Sequence, residues 1–259
     1  LVATGSWPAL PEIPGIEHAI SSNEAFYLDE LPKRAAVVGG GYIGVEFGGI
    51  FHGLGAETHV IYRGPQVLRG FDDDLRSALM EEMRKQGIGL HMETNVTAIH
   101  KKDDGLHLEL DRGEPIVVDQ VLYATGRTPK TKDIGLDKAG VELGPKGEIK
   151  VDELSRTNVP SIYAIGDVTD RMNLTPVAIA EAMCLVRTLY QDDPTSPNHT
   201  NVPTAVFSQP PIGTVGLTEA EARAEYGEVD IDRSSFKPLN HTLTDRDERS
   251  TMKLIVDPK

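Results

Sequence analysis

The sequence predicts an α/β fold organised around a parallel βαβ unit, and three observations predict it. An apolar run, Ala35-Ala36-Val37-Val38, leads into Gly39-Gly40-Gly41-Tyr42-Ile43-Gly44; a helix-permissive stretch follows from Val45 to Leu54; a second β-type run spans Thr58 to Tyr62. Strand, glycine turn, helix and strand in that order form a nucleotide-binding half.

The flanking elements follow in chain order. Leu1-Val2-Ala3-Thr4-Gly5 reads as an apolar strand running into a turn glycine, and an opening without Met reads as a piece of a longer chain. Pro8, Pro11 and Pro14 favour an extended connector. Gly53-Leu54-Gly55 stops the first helix. Asp72 to Gln86 predicts a second helix, with Asp72, Asp73 and Asp74 placing negative charge at its N-terminal end. Strand patterns run through Ile88 to Met92, Val96 to His100, Leu106 to Leu110 and Ile116 to Ala124. Beyond them lie an apolar strand from Ser161 to Ile165, a helix from Pro176 to Tyr190 and a linker from Asp192 to Pro197. The last part reads as strands at Thr204 to Phe207, Thr214 to Leu217 and Thr251 to Val256, with a helix at Glu219 to Tyr226, which amounts to a partial layer.

Composition narrows the function classes. The 259 residues are 39% hydrophobic and 25% charged, which suits a globular chain with a sizeable core. Twenty-six Lys and Arg against 40 Asp and Glu give a formal charge of −14, so nucleic acid and anionic membrane are not expected partners and any bound anion must be captured locally. No apolar run reaches the ~20 residues of a membrane span, and a cytoplasmic location is expected. Cys184 is the single cysteine, so no disulfide and no cysteine-based metal site can form within these residues.

Gly39, Gly41 and Gly44 satisfy GxGxxG between a strand and a helix. The glycines allow a tight turn and close backbone approach to a pyrophosphate, and the helix N-terminus presents oriented N–H groups to the anion. A glycine-rich turn without a ligand is the bland alternative. About 20 residues further on, an NAD site would place an acid against the ribose hydroxyls. Tyr62-Arg63 stands there instead, with Arg69 nearby. Two guanidiniums suit a 2′-phosphate, so NADPH is expected over NADH, unless both are ordinary loop charges in solvent. Ala124-Thr125-Gly126-Arg127 and Ile165-Gly166-Asp167 each end an apolar strand on a turn; taken singly, each is a weak signal.

As a set, these residues resemble the flavin-dependent, class I pyridine nucleotide-disulfide oxidoreductases of the glutathione reductase kind. The resemblance runs the length of the chain, through Ala3-Thr4-Gly5, the turn from Gly39 to Glu46, Arg63 with Arg69, Ala124 to Arg127, Ala164 to Val168, Leu174 to Ala178 and Phe207 to Leu217. It implies a Rossmann-like NAD(P)-binding domain inserted in an FAD-binding domain and followed by part of an α+β dimerisation domain. The implied divisions are 1–28 as the end of the FAD domain and linker, 29–129 for NADPH, 130–199 for the central FAD segment and 200–259 for the interface.

The resemblance also implies site roles. Gly39, Gly40, Gly41, Ile43, Gly44, Glu46 and Gly126 would lie along NADPH, Tyr42 would cover the nicotinamide pocket, and Arg63 and Arg69 would hold the 2′-phosphate. Ala205 would approach the carboxamide. Thr4, Gly5, Asp167 and Thr175 would serve FAD, Asp167 at the ribityl chain. The implied reaction passes hydride from NADPH to FAD and electrons through a cysteine pair to a disulfide, with glutathione disulfide the favoured substrate and a homodimer the implied assembly. No residue of this chain is implied as catalytic: the cysteine pair and the acid histidine of such reductases match nothing here, so these residues alone are expected to be inactive. Met183 stands where several relatives place a substrate-binding arginine, and a thioether cannot make that ion pair. Reductases of trypanothione, mycothione or a metal ion, dihydrolipoamide dehydrogenase, and a binding module without turnover therefore stay open as alternatives.

Overall fold

The apolar run Ala35 to Val38, closed by Gly39, supplies an interior strand of the main sheet. The computed structural model describes every residue except Asp245 and Lys259. In chain order, β1 is Ser6–Pro8, α1 Ser22–Ala25, β2 Arg34–Val38, α2 Tyr42–Gly53, β3 Glu57–Tyr62, α3 Asp73–Lys85 and β4 Gly89–Met92. Next come β5 Val96–Lys102, β6 Gly105–Leu110, β7 Ile116–Val118, β8 Gln120–Tyr123 and β9 Arg127–Pro129. Helix α4 spans Thr175–Tyr190, followed by β10 Thr204–Val206, β11 Ile212–Thr214, α5 Glu219–Tyr226, β12 Asp230–Phe236 and β13 Ser250–Val256. The chain divides into two compact units, one of Leu1–Ala9 with Arg127–Thr200 and one of Leu10–Gly126 with Asn201–Lys259.

The larger unit holds a four-stranded parallel sheet in the order β4-β3-β2-β8. Parallel strands covered on both faces lose the apolar/polar alternation, which is why four consecutive residues of β2, Ala35 to Val38, are all buried. One face packs Ile61, Val121 and Tyr123 against Val96, Leu108 and Val118 of the antiparallel β5-β6-β7 sheet. The other packs Val60 against Val45 of α2 and Leu79 and Met83 of α3, and Val206 and Ile212 join that cluster. Each such fully buried aliphatic side chain contributes about 1.5–3 kcal/mol. Helix α3 starts where the Asp72 side chain accepts the Asp74 N–H, and Arg84 and Lys85 stand in its last turn, as the dipole favours. Helix α5 opens on a Thr218/Glu221 capping box.

A charge cluster fastens the C-terminal strands to α3. Lys253 Nζ lies 2.8 Å from Asp72, 2.7 Å from Asp74 and 2.8 Å from Glu219, and Arg233 adds contacts to Asp74 at 2.6 Å and Glu219 at 2.8 Å. Burial alone would push the Asp72 carboxyl up, but hydrogen bonds from Lys253 and from the Glu219 and Asp74 amides outweigh it and hold the group low. Lys253 likewise leads in holding Asp74 and Glu219 below the usual carboxylate range.

In the smaller unit, β1 and β9 pair antiparallel, and Leu136, Val141, Ile149, Ala164 and Val168 form a core. Lys130 sits over the Trp7 ring, 4.9 Å from its centroid.

The α/β expectation holds, and α2, α3, α4 and α5 lie where the patterns place them, α2 beginning at Tyr42 ahead of Val45. Four strand expectations are corrected. Leu1 to Thr4 and Ser161 to Ile165 are not strands; they meet only at a Val2–Ala164 bridge, with a second bridge from Tyr163 to Arg156. The neighbouring segments turn away at Gly5 (φ 71) and Ser155 (φ 63), too soon to build a ladder. Ile116 to Ala124 is two strands in two sheets, broken at Asp119, whose carboxylate accepts from the Arg34 backbone and guanidinium. Strand β11 ends at Thr214, where an expected strand began, because the backbone leaves β10 for a turn at Gly216 (φ 84). Strand β12, too polar to announce itself, is held by register with β13 along its length.

Candidate functional site

The glycine turn joins the C-terminal ends of three neighbouring strands. Gly39 N–H donates to Ile61 O, and Ala124 N–H donates to Val38 O. A Cβ on Gly39 would fall 2.3 Å from Ala124 O, one on Gly44 would fall 2.2 Å from Gly39 O, and one on Gly40 would strike the Tyr62 ring at 2.5 Å. These three positions need glycine because backbone or ring already fills the space a side chain would take. Gly41 differs: a Cβ there would meet nothing within 4 Å, and as the N-cap of α2 it makes no side-chain cap. Gly126, just beyond β8 with φ 142, also faces open space. Two unobstructed backbone positions therefore flank uncapped helix N–H groups, an arrangement that fits an extended phosphate-bearing ligand. Tyr42 and Ile43 begin α2, and Tyr42 is partly exposed.

The Arg63 to Gly70 loop is tied to this turn. Leu68 N–H donates to Gly40 O at 2.6 Å, and Arg76 of α3 donates to Val67 O at 2.8 Å and to Gln66 O at 3.1 Å. Arg63 and Arg69 extend from the loop, both exposed, and neither has an ion-pair partner among the described residues. On the opposite flank, Glu46 Oε1 accepts the Phe207 N–H at 2.9 Å, which brings the end of β10, and with it exposed Ala205, to the side of α2. The fold thus gathers the glycine turn, Glu46, Arg63, Arg69, Gly126 and Ala205 within the larger unit.

The smaller unit gathers the other group. Thr4 Oγ1 donates to Lys130 O at 2.8 Å, and Gly5 O accepts the Lys130 N–H. Ser6 donates to Asp167 Oδ2 at 2.7 Å while accepting from Arg127 Nε at 2.6 Å. The segment containing Thr4 and Gly5 is thereby joined to Asp167, and Asp167 Oδ1 keeps no hydrogen bond among the described residues. Behind Asp167, the Gly166 N–H donates to Glu181 at 2.6 Å; Glu181 is 1% exposed and also takes Arg171 at 2.9 Å and His199 at 2.8 Å. Thr175 is the exposed first residue of α4, one turn before Ala178, which packs on Gly166. Arg76, Ser6 and Glu181 were not legible beforehand: a lone Arg, Ser or Glu carries no pattern, and only long-range contacts reveal what each holds.

Comparison with known proteins covers nearly the whole chain. Residues 1–182 match the family model described as pyridine nucleotide-disulphide oxidoreductase, and residues 202–259 match that family's dimerisation domain. The chain is 49% identical to the chloroplastic/mitochondrial glutathione reductase of Pisum sativum, covering 99% of this chain and 47% of that one. It is 47% identical to the glutathione reductase of Burkholderia cepacia, at 99% and 57% coverage. The trypanothione reductase of Trypanosoma congolense is also 47% identical, at 99% and 53%. Among solved structures, the HOCl-induced flavoprotein disulfide reductase RclA from Escherichia coli matches with a TM-score of 0.89 and 30% identity, over 98% of this chain and 59% of that one. The chain thus spans about half to three fifths of the proteins it matches.

Proposed function

Because this chain belongs to the pyridine nucleotide-disulphide oxidoreductase family, we propose that it is the NADPH-binding and part of the FAD-binding portion of an NADPH-dependent disulfide reductase acting on a small disulfide. The observation that carries the cofactor half is the pair of guanidiniums, Arg63 and Arg69, without an ion-pair partner among the described residues, in the loop that follows β3 beside an open glycine turn. In a chain with net charge −14, cations without an internal counter-ion are set for an external anion.

The residue roles are those the resemblance implies. Arg63 and Arg69 grip the 2′-phosphate. The N–H groups at the start of α2 take the pyrophosphate, with Gly41 and Gly126 leaving room for it. Tyr42 covers the nicotinamide pocket, and Glu46, fixed by Phe207, lines it with Ala205. Asp167 offers Oδ1 to the ribityl hydroxyls of FAD while Ser6 holds Oδ2, and Thr4, Gly5 and Thr175 complete that site. When bound, the two cofactors supply hydride and electron transfer. The domain divisions at 28/29, 129/130 and 199/200 belong to this reading, as do a cytoplasmic whole protein and a homodimer formed through the 200–259 segment. Glutathione disulfide is the favoured substrate; trypanothione is the second reading, supported by the equal identity to a trypanothione reductase and by exposed Met183.

Calorimetric titration of the chain with NADPH and NADH, repeated on Arg63→Ala/Arg69→Ala, tests the reading. Charge-assisted hydrogen bonds contribute about 1.5–3 kcal/mol each, so NADPH should bind at least about tenfold more tightly than NADH. The double variant should lose that preference and keep its NADH affinity. Equal affinities in the parent chain would discard the arginine argument and point to an NAD-linked relative.

A further inference from the structure

Histidines at two strand positions of the parallel sheet converge where the cofactor reading makes no use of them. His59 on β3 and His91 on the edge strand β4 point to the same side, and His59 Nδ1 lies 3.1 Å from His91 Nε2. Their ring centroids are 5.2 Å apart, with planes inclined at 50°. The residue paired with His59 across the ladder is Gly89, and a Cβ built there would fall 2.5 Å from His59 Nδ1 and 3.4 Å from His91 Nε2. Gly89 therefore lets the His59 ring pack against the edge strand, where any side chain would collide with it. The far nitrogen, His59 Nε2, faces Glu57 Oε1 at 3.4 Å, and the His59 side chain is 21% exposed, so solvent reaches it.

We infer that His59 and His91 form a labile two-imidazole site for a borderline divalent transition-metal ion, Cu(II) or Zn(II), with Glu57 orienting His59 from behind. Two arguments support it. Two imidazole nitrogens bound to one ion at about 2.0–2.1 Å stand close to 3 Å apart when their bonds are near right angles, so an ion can take the place of the proton that the two rings share across their 3.1 Å hydrogen bond. The carboxylate on the second nitrogen of His59 is the usual outer partner of a metal-bound histidine, fixing its tautomer and raising its basicity. Among the described residues no group of three or more His, Cys, Asp and Glu is placed to hold a metal ion, so this site offers two protein ligands and leaves the remaining positions to water. That makes it exchangeable, and Cu(II) should bind more tightly than Zn(II). A bound ion would staple the edge strand β4 to β3.

The test is calorimetry of the tag-free, chelator-treated full chain with CuCl2 and ZnCl2, alongside His59→Gln, His91→Gln and Glu57→Gln, with His100→Gln as an unrelated-histidine control. One equivalent should bind in the parent chain and in the control. Either histidine variant should weaken it at least about tenfold, and Glu57→Gln by about tenfold, as outer partners do. The Cu(II) electron paramagnetic resonance spectrum should show coupling to two nitrogens in the parent chain and to one in each histidine variant. Should one variant not fold, the other and the parent spectrum still decide. No stoichiometric binding in the parent chain, or binding unchanged in both histidine variants, overturns the proposal.

Discussion

Arg69 and Asp72 lie three positions apart, yet the two stand in opposite kinds of electrostatic surroundings. Asp72 belongs to a saturated cluster in which Lys253, Arg233, Asp74 and Glu219 answer one another across α3, α5, β12 and β13. Arg69 and Arg63 have no ion-pair partner among the described residues although the chain carries 14 more acids than bases. Charges that satisfy each other build the fold; charges left unanswered at the end of a strand are available to a ligand. Loop anchoring explains how both occur so close together. Arg76 and Leu68 hold the loop by its backbone, so the Arg63 and Arg69 side chains are not needed for structure.

The contrast breaks most visibly if its two halves respond alike to mutation. Lys253→Met leaves three carboxylates facing each other, one of them on buried Asp72, and should destabilise the chain by about 3–5 kcal/mol in urea unfolding. A loss under about 1 kcal/mol would mean that the cluster is ornamental. Arg63→Ala/Arg69→Ala should instead leave stability within about 0.5 kcal/mol of the parent while removing the tenfold or greater NADPH preference. If it destabilised as much as Lys253→Met, the arginines would be structural too.

Acid titration sharpens the same contrast. Asp72, Asp74 and Glu219 all titrate below their ordinary values in the folded chain. Their contribution is therefore fully present above the unfolded carboxylate range near about pH 4 and is lost as pH falls through the lower folded values. Unfolding free energy measured from neutral pH downward should hold and then fall steeply in acid. In Lys253→Met that acid-linked fall should shrink. The smallest effect is expected at Tyr123, whose buried hydroxyl has no partner among the described residues and whose pKa burial pushes up to about 12. Tyr123→Phe should be neutral or stabilising by up to about 1 kcal/mol in the same assay, since it removes a polar group that neither pairs nor reaches solvent.

The sequence by itself determined the βαβ core and the longer helices, and it carries the signals on which the cofactor proposal rests. Glycine spacing, apolar runs and a basic pair where an acid would otherwise stand are local signals, each resting on the shape or charge of residues close in the chain. Tertiary structure alone decided the rest. Whether Ser161 to Ile165 became a strand depended on how far its neighbours ran, and Asp119 split one apolar run between two sheets only because Arg34, distant in sequence, lay beside it. Polar β12 became a strand because β13 supplied its partner. The roles of Ser6, Glu181, Arg76 and the His59–His91 pair were equally invisible, because a hydrogen bond depends on where two groups meet in space, and separations such as the 161 residues between Ser6 and Asp167 leave no periodic trace in the chain.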